Sequence, residues 1–177
     1  MNDHAERWQA ALWRQFGAAI DMFANAVTDC PDDLWQKQIY HDPERPELTQ
    51  FWVVAYHTLY FLDLYLSGTG DGFAPPEPFT TDRLEPDGEM PDQPFSRVQL
   101  QGYIDHCRRK CHDTLTALTD ERAMAPSAFV RSGRRLSFYE LQLYNMRHVQ
   151  QHEGQLAMVI GQAGHYESLL ISVAKSS

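Results

Sequence analysis

Two histidines four residues apart, His148 and His152, lie in the stretch Tyr144-Asn145-Met146-Arg147-His148-Val149-Gln150-Gln151-His152-Glu153-Gly154-Gln155-Leu156. On a helix, positions four apart differ by only about 40° of rotation and roughly 6 Å of rise, so both imidazoles point the same way and can reach one metal ion. A third histidine, His57, sits in another strongly apolar helical run and can complete the set. Buried imidazoles are costly unless each ring nitrogen finds a partner, and a divalent ion would satisfy one nitrogen on every ring at once. Three neutral histidines at roughly 2.0–2.1 Å leave a zinc-like ion one or more open positions, the arrangement of a reactive site rather than a closed structural one. Such an ion lowers the pKa of bound water or of a coordinated thiol and polarises a carbonyl. For the His-x-x-x-His pair alone, core histidines bonded to tyrosine and backbone are the stronger reading; the third histidine changes the balance. Val149 stands where a zincin carries its glutamate, so peptidase chemistry lacks its general base.

Four amphipathic runs must position these rings. The first is expected over about Ala5 to Thr28, with Trp8, Leu12, Phe16, Ala19, Phe23 and Ala26 inward, Asp3 as N-cap and Cys30-Pro31 as its end. Gly17 interrupts it, as a glycine does where a neighbouring helix approaches closely. The second starts near Glu47 or Thr49 and stops before Gly68, with Val53, Val54, His57, Tyr60, Phe61 and Leu64 along one side. From Gly68 to Pro94, six prolines and four glycines in 27 residues exclude a regular helix and argue for a long ordered crossover or a lid. The third helix is expected over about Phe95 to Thr119 on Leu100, Ile104, Cys107, Cys111, Leu115 and Leu118. After a loop from Pro126 to Arg135 that turns at Ser132-Gly133, the fourth runs from about Ser137 to Gln162. Its inward stripe is Phe138, Leu141, Tyr144, His148, His152, Leu156, Val159 and Ala163, and Gly161 and Gly164 end it. The tail Leu169-Leu170-Ile171-Ser172-Val173 is apolar enough to cover a groove or meet a second subunit. Four long helices and one long crossover make an all-α four-helix bundle, one domain over residues 1–177, the economical architecture.

With 24 acidic against 15 basic residues the net charge is -9, and no basic stripe tracks a phosphate backbone, so nucleic-acid binding is disfavoured. The N-terminus has Asp3 and Glu6 and no continuous apolar stretch, and the apolar run near residues 51–66 contains His57 and Asp63. No membrane span or leader is expected, and the location expected is the cytoplasm. Three cysteines, two of them a helical turn apart, do not resemble a secreted disulfide framework.

Cys107 and Cys111, with His106 and His112 beside them, offer a second metal or redox site, but the two histidines point to separate faces and the cysteines lie on the core stripe. Small buried hydrophobes are the better role for them, and Cys30 is a bystander thiol. Tyr144 and Asn145, one turn before His148, and Tyr60, one turn after His57, can orient ligands or contact a substrate; ordinary packing serves equally well. Glu153 is rotated about 100° from His152, which favours a solvated or interhelical role. Arg108-Arg109-Lys110 reads as the wet face of the third helix, and His4, His41 and His165 carry no special signal.

The apolar segment Val54-Ala55-Tyr56-His57-Thr58-Leu59-Tyr60-Phe61-Leu62-Asp63, followed far downstream by His148-x-x-x-His152-x-Gly154-Gln155-Leu156, resembles the DinB-like family of small four-helix metalloproteins, over about Ala5 to Gly164. The resemblance implies an up-down-down-up bundle, His57, His148 and His152 as metal ligands, zinc or nickel as the ion, and a homodimer. Related families include thiol S-transferases that use low-molecular-weight thiols and a thiol-dependent maleylpyruvate isomerase. The long Pro-rich segment between the second and third helices departs from the family pattern and could cover or rebuild the pocket. Three functions remain open: a divalent-metal-dependent enzyme, with thiol transfer to a small electrophile as one chemistry; a non-catalytic metal-binding or stress-associated dimeric interaction protein; and a bundle whose histidines bind no metal.

Overall fold

The computed structural model describes residues 3–80, 91, 93–165 and 170–175, with side chains from Trp8 onward. Among them are five α-helices, a 3₁₀ turn and one hairpin: α1 (Asp3–Asp29), the turn Pro46–Thr49, α2 (Phe51–Ser67), α3 (Arg97–Thr116), α4 (Asp120–Met124), β1 (Pro126–Arg131), β2 (Arg134–Ser137) and α5 (Phe138–Gln162). The helix ends follow local chemistry. Ser96 and Ser137 each form a reciprocal capping box, with Gln99 and Glu140 respectively, so α3 and α5 begin one residue after a serine. The α5 helix ends in a Schellman arrangement, with Gly164 at φ 81° and His165 N–H donating to the Ile160 carbonyl at 3.2 Å. Asp3, expected as a cap, is itself helical.

The α2 N-terminus has no side-chain cap. The preceding chain takes that role instead: Phe51 N–H donates to Lys37 O at 3.0 Å and Trp52 N–H to Trp35 O at 3.1 Å. At the other end Gly68, at φ 74°, closes α2, and a Cβ there would meet the Phe138 ring at 2.9 Å. Only glycine combines that left-handed backbone with so close a neighbour.

Each of α1 and α2 packs against both α3 and α5. The two are not equivalent. The buried α1 residues Leu12, Phe16, Ala19, Phe23 and Ala26 form the expected stripe, whereas 13 of the 17 residues of α2 are buried. A helix apolar on all sides is a central one, so the one-sided stripe expected for α2 is corrected to burial nearly all round. The stripe expected for α5 is also rotated. Ala163 is exposed, and His148, His152, Tyr144 and Val159 are half-buried, while Gln142, Asn145, Val149, Glu153 and Ile160 are buried. The polar members of that face hold α2: Gln142 Nε2 donates to Tyr65 O at 2.9 Å and Asn145 Nδ2 to Leu62 O at 3.1 Å. Both reach carbonyls in the last two turns of α2; that of Tyr65 is among the four that lack an i+4 helical partner.

The expected third helix to Thr119 stops at Thr116, a short α4 that was not expected follows it, and the expected loop from Pro126 to Arg135 is the hairpin. Ser132 at φ 51° and Gly133 at φ 74° form its two-residue turn, the left-handed pair that matches strand twist. Of the Pro-rich crossover, residues 81–90 and 92 lie outside the described residues. Before them Phe79 inserts between Tyr56 and Tyr103, at centroid distances of 5.5 and 4.6 Å, and Tyr56 OH donates to Thr80 O at 2.8 Å. Residues 170–175 lie on α1, with Ala174 N–H donating to Arg14 O at 2.8 Å; Leu169 is outside the described residues. A Cβ on Gly17 would approach the Ala174 side chain to 2.6 Å, so that glycine admits the C-terminal segment rather than a neighbouring helix.

Two buried carboxylates also revise the reading of the basic run on α3. Arg108 pairs with buried Asp21 at 2.8 Å, and Lys110 pairs with buried Asp63 at 2.5 Å. Of the three basic residues only Arg109 is exposed. No described helix is long and apolar enough to cross a membrane.

Candidate metal centre

His57 projects from the middle of α2, and His148 and His152 from successive turns of α5. Their Nε2 atoms converge: His148 lies 3.3 Å from His57 and 3.1 Å from His152, and one nitrogen from each ring falls within 4.8 Å of the others. Donors bound at about 2.05 Å with tetrahedral angles stand about 3.3 Å apart, so the spacing suits a single small cation. The protonation states point the same way. His152 Nδ1 meets the Gln155 amide oxygen at 2.8 Å, which places the proton on Nδ1 and leaves the Nε2 lone pair facing the other two rings. Whatever the tautomers of His57 and His148, His148 Nε2 carries either one hydrogen or one lone pair and cannot form a well-directed hydrogen bond with both of its neighbours, whereas a cation would accept a lone pair from each of the three. The three histidines are thus positioned to bind a metal ion.

Burial keeps the rings neutral, the state a ligand needs. It lowers the His57 pKa to about 4, helped by His152. It lowers the His148 pKa to about 3, helped by His152, His57 and Arg131. His152 is lowered by burial against the opposing effect of Gln155. The Nδ1 of His148 is buried with no hydrogen-bond partner among the described residues, a cost the fold bears at the centre of the cluster.

Metal-free protein is expected to lose stability as the pH falls through this range. The unfolded chain protonates its histidines near 6.5 while folded His57 and His148 stay neutral to about 4 and about 3, so the unfolded state binds more protons and acid favours it. Each ring contributes at most about 1.4 kcal/mol per pH unit, less for the part that water screens. Melting temperatures of chelator-treated protein between about pH 7 and pH 5 check this; a flat profile would contradict it.

A cleft of about 250 Å³ opens beside the cluster, lined by Tyr40, Asp42, Leu48, Val53, Val54, His57 and His152. Tyr40 and Asp42 were not singled out from the sequence, because their segment has no periodicity and only the chain reversal before α2 brings it over the histidines. The suggested accessory residues have distinct surroundings. Tyr60 is buried against Phe61 and Phe73 at 5.3 and 5.5 Å. Tyr144 lies against Tyr65 at 5.7 Å and under Arg131 at 5.4 Å. Asn145 is fully buried on α2 backbone and on Gln142.

Glu153 is buried rather than solvated. Gln150 donates to its Oε2 at 2.6 Å, its Oε1 has no partner among the described residues, and burial raises its pKa. All three cysteines are buried, Cys107 and Cys111 in the core as expected. Burial pushes the Cys30 thiol up to about 12 and likewise raises Cys107 and Cys111. His106 faces Asp63 while His112 contacts Asp113 and Trp13, so the two do not share a site.

A family model described as the DinB superfamily matches residues 15–156, a span that contains all three histidines. No curated protein and no solved structure matches the chain significantly.

Proposed function

We propose, because the chain belongs to the DinB superfamily, that it is a divalent-metal-dependent enzyme that joins a low-molecular-weight thiol to a small electrophile. The observation that carries this reading is the convergence of the His57, His148 and His152 Nε2 atoms beside a cleft that reaches two of the same rings. A metal held by three neutral imidazoles supplies Lewis acidity and stabilises a thiolate near neutral pH. Zinc or nickel suits imidazole donors.

The remaining work falls to the chain's own groups. Gln155 fixes the His152 tautomer through the 2.8 Å contact to Nδ1. Asn145 acts as a positioning residue, tying α5 to α2 so that rings 91 residues apart in sequence stay in register. Leu48, Val53 and Val54 exclude water from one wall of the cleft, while Tyr40 and Asp42 offer polar contacts to a bound molecule. Tyr60 backs α2 beside His57, and Tyr144 lies on the His148 side of α5. On the same premise the long helices follow the up-down-down-up order, and the protein works as a cytoplasmic homodimer.

The test is a thiol screen on zinc- and nickel-loaded protein with a small haloalkyl fluorophore as acceptor. Conjugation that requires both metal and thiol, and that disappears in His57→Ala, is the expected result. Stoichiometric metal with no acceleration by any thiol would overturn the enzymatic reading and leave a metal-binding protein.

A further inference from the structure

The β1–β2 hairpin and the first half of α5 enclose a larger cleft, of about 670 Å³, whose lining includes Arg131, Arg134, Arg147, Tyr144 and a single acid, Glu140. In a chain of net charge -9, three guanidiniums against one carboxylate make this a local reversal of sign, and a concave positive surface draws anions from an otherwise repelling field. Glu140 is already engaged, since its carboxylate closes the Ser137 capping box and meets Arg134 at 2.8 Å.

Arg131 is not a loose surface side chain. Its guanidinium lies 5.4 Å from the Tyr65 and Tyr144 ring centroids and 5.9 Å from that of Phe129, and it donates to the Tyr65 hydroxyl at 2.5 Å and the Val130 carbonyl at 2.9 Å. A fork held this way loses little freedom when it meets an anion. Tyr65 links it to the histidines, because the Tyr65 ring lies 6.3 Å from the His148 ring.

The geometry points to a binding site for the carboxylate or phosphate group of a small anionic ligand, held by Arg131 and Arg147 in the hairpin cleft. That this ligand is the thiol or electrophile of the histidine site rests on the metal-dependent reading above; the anion site itself does not.

The experiment has two arms. In the first, chelator-treated protein is titrated calorimetrically with succinate and, separately, with inorganic phosphate, in the wild type and in Arg147→Gln. Arg147 is exposed, so its replacement leaves the fold intact, as a melting curve would verify. Loss of one charge-assisted contact should weaken binding about tenfold, and whichever probe binds identifies the anion chemistry. Absence of binding by both probes, or equal affinity in Arg147→Gln, overturns the site.

In the second arm, cobalt-loaded protein is titrated with mercaptosuccinate and with uncharged 2-mercaptoethanol while the thiolate-to-cobalt absorption is followed. Tighter binding of mercaptosuccinate, with the advantage lost in Arg147→Gln and 2-mercaptoethanol unaffected, connects the cleft to the metal. Succinate binding with no thiol response overturns the metal-dependent reading and upholds the anion site. Equal response to both thiols without succinate or phosphate binding does the reverse.

Discussion

His148→Ala is expected to abolish stoichiometric metal binding. His148 is the shared member of the cluster, with its Nε2 3.3 Å from His57 and 3.1 Å from His152. Structural zinc sites bind with roughly 10–16 kcal/mol over four ligands, or about 3–4 kcal/mol per ligand. Losing one should therefore weaken affinity by about two to three orders of magnitude. Elemental analysis of gently purified protein, followed by competition against a chromophoric chelator, measures the effect. The metal-free fold should tolerate the change, because the Nδ1 of His148 is already buried without a described partner. Metal should then raise the melting temperature of the wild type and not of the variant, since a ligand that binds only the folded state stabilises it. A variant that keeps its full metal content would refute the site.

The largest stability loss is expected at Lys110→Met, far from the histidines in role. The Asp63 side chain is 1% exposed and accepts from Lys110 Nζ at 2.5 Å and Tyr103 OH at 3.1 Å, with His106 Nε2 at 3.5 Å. Removing one partner of a buried pair leaves an uncompensated charge, at a cost of about 3–5 kcal/mol. The lower end applies because Tyr103 and His106 remain. Urea denaturation reads the loss directly. In the double variant Asp63→Leu/Lys110→Met more than half of it should return, because an apolar replacement of both members removes the stranded charge. Metal affinity should stay within a few-fold of wild type in the folded variants. A loss under about 1 kcal/mol for Lys110→Met would show that this pair is screened like a surface one.

Both predictions depend on contacts of different legibility. The pairing of His148 with His152 could be read from spacing alone, because positions four apart share a helix face wherever that helix packs. The Asp63–Lys110 pair could not. Asp63 is one acid in an apolar run, Lys110 one base in a run of three, and nothing local says that they face each other across α2 and α3. Gln142 gives no signal for a related reason, since hydrophobic periodicity assigns polar residues to water; Asn145 is marked only by its place one turn before His148, and Glu153 by a rotation that leaves a solvated and an interhelical role open. The hairpin reads as a loop because β1 (Pro126–Arg131) and β2 (Arg134–Ser137) are too short to show an alternating pattern, while Ser132-Gly133 is legible as its turn. Tyr40 and Asp42 gave no periodic signal at all.

By itself the sequence determined what local stereochemistry determines. Apolar repeats specified the long helices, Cys30-Pro31 and Gly164 marked two ends, and the four-residue spacing aimed His148 and His152 in one direction. Only the tertiary structure decided that His57 meets them. Because α2 is buried nearly all round, its hydrophobic pattern leaves its rotation open, and any of several faces could have turned toward α5. Long-range contacts settle that rotation, through the carbonyls of Leu62 and Tyr65 held by Asn145 and Gln142. The same packing turns α5 so that its histidines lie at the edge of the core beside a cleft, where rings can stay neutral and still be reached.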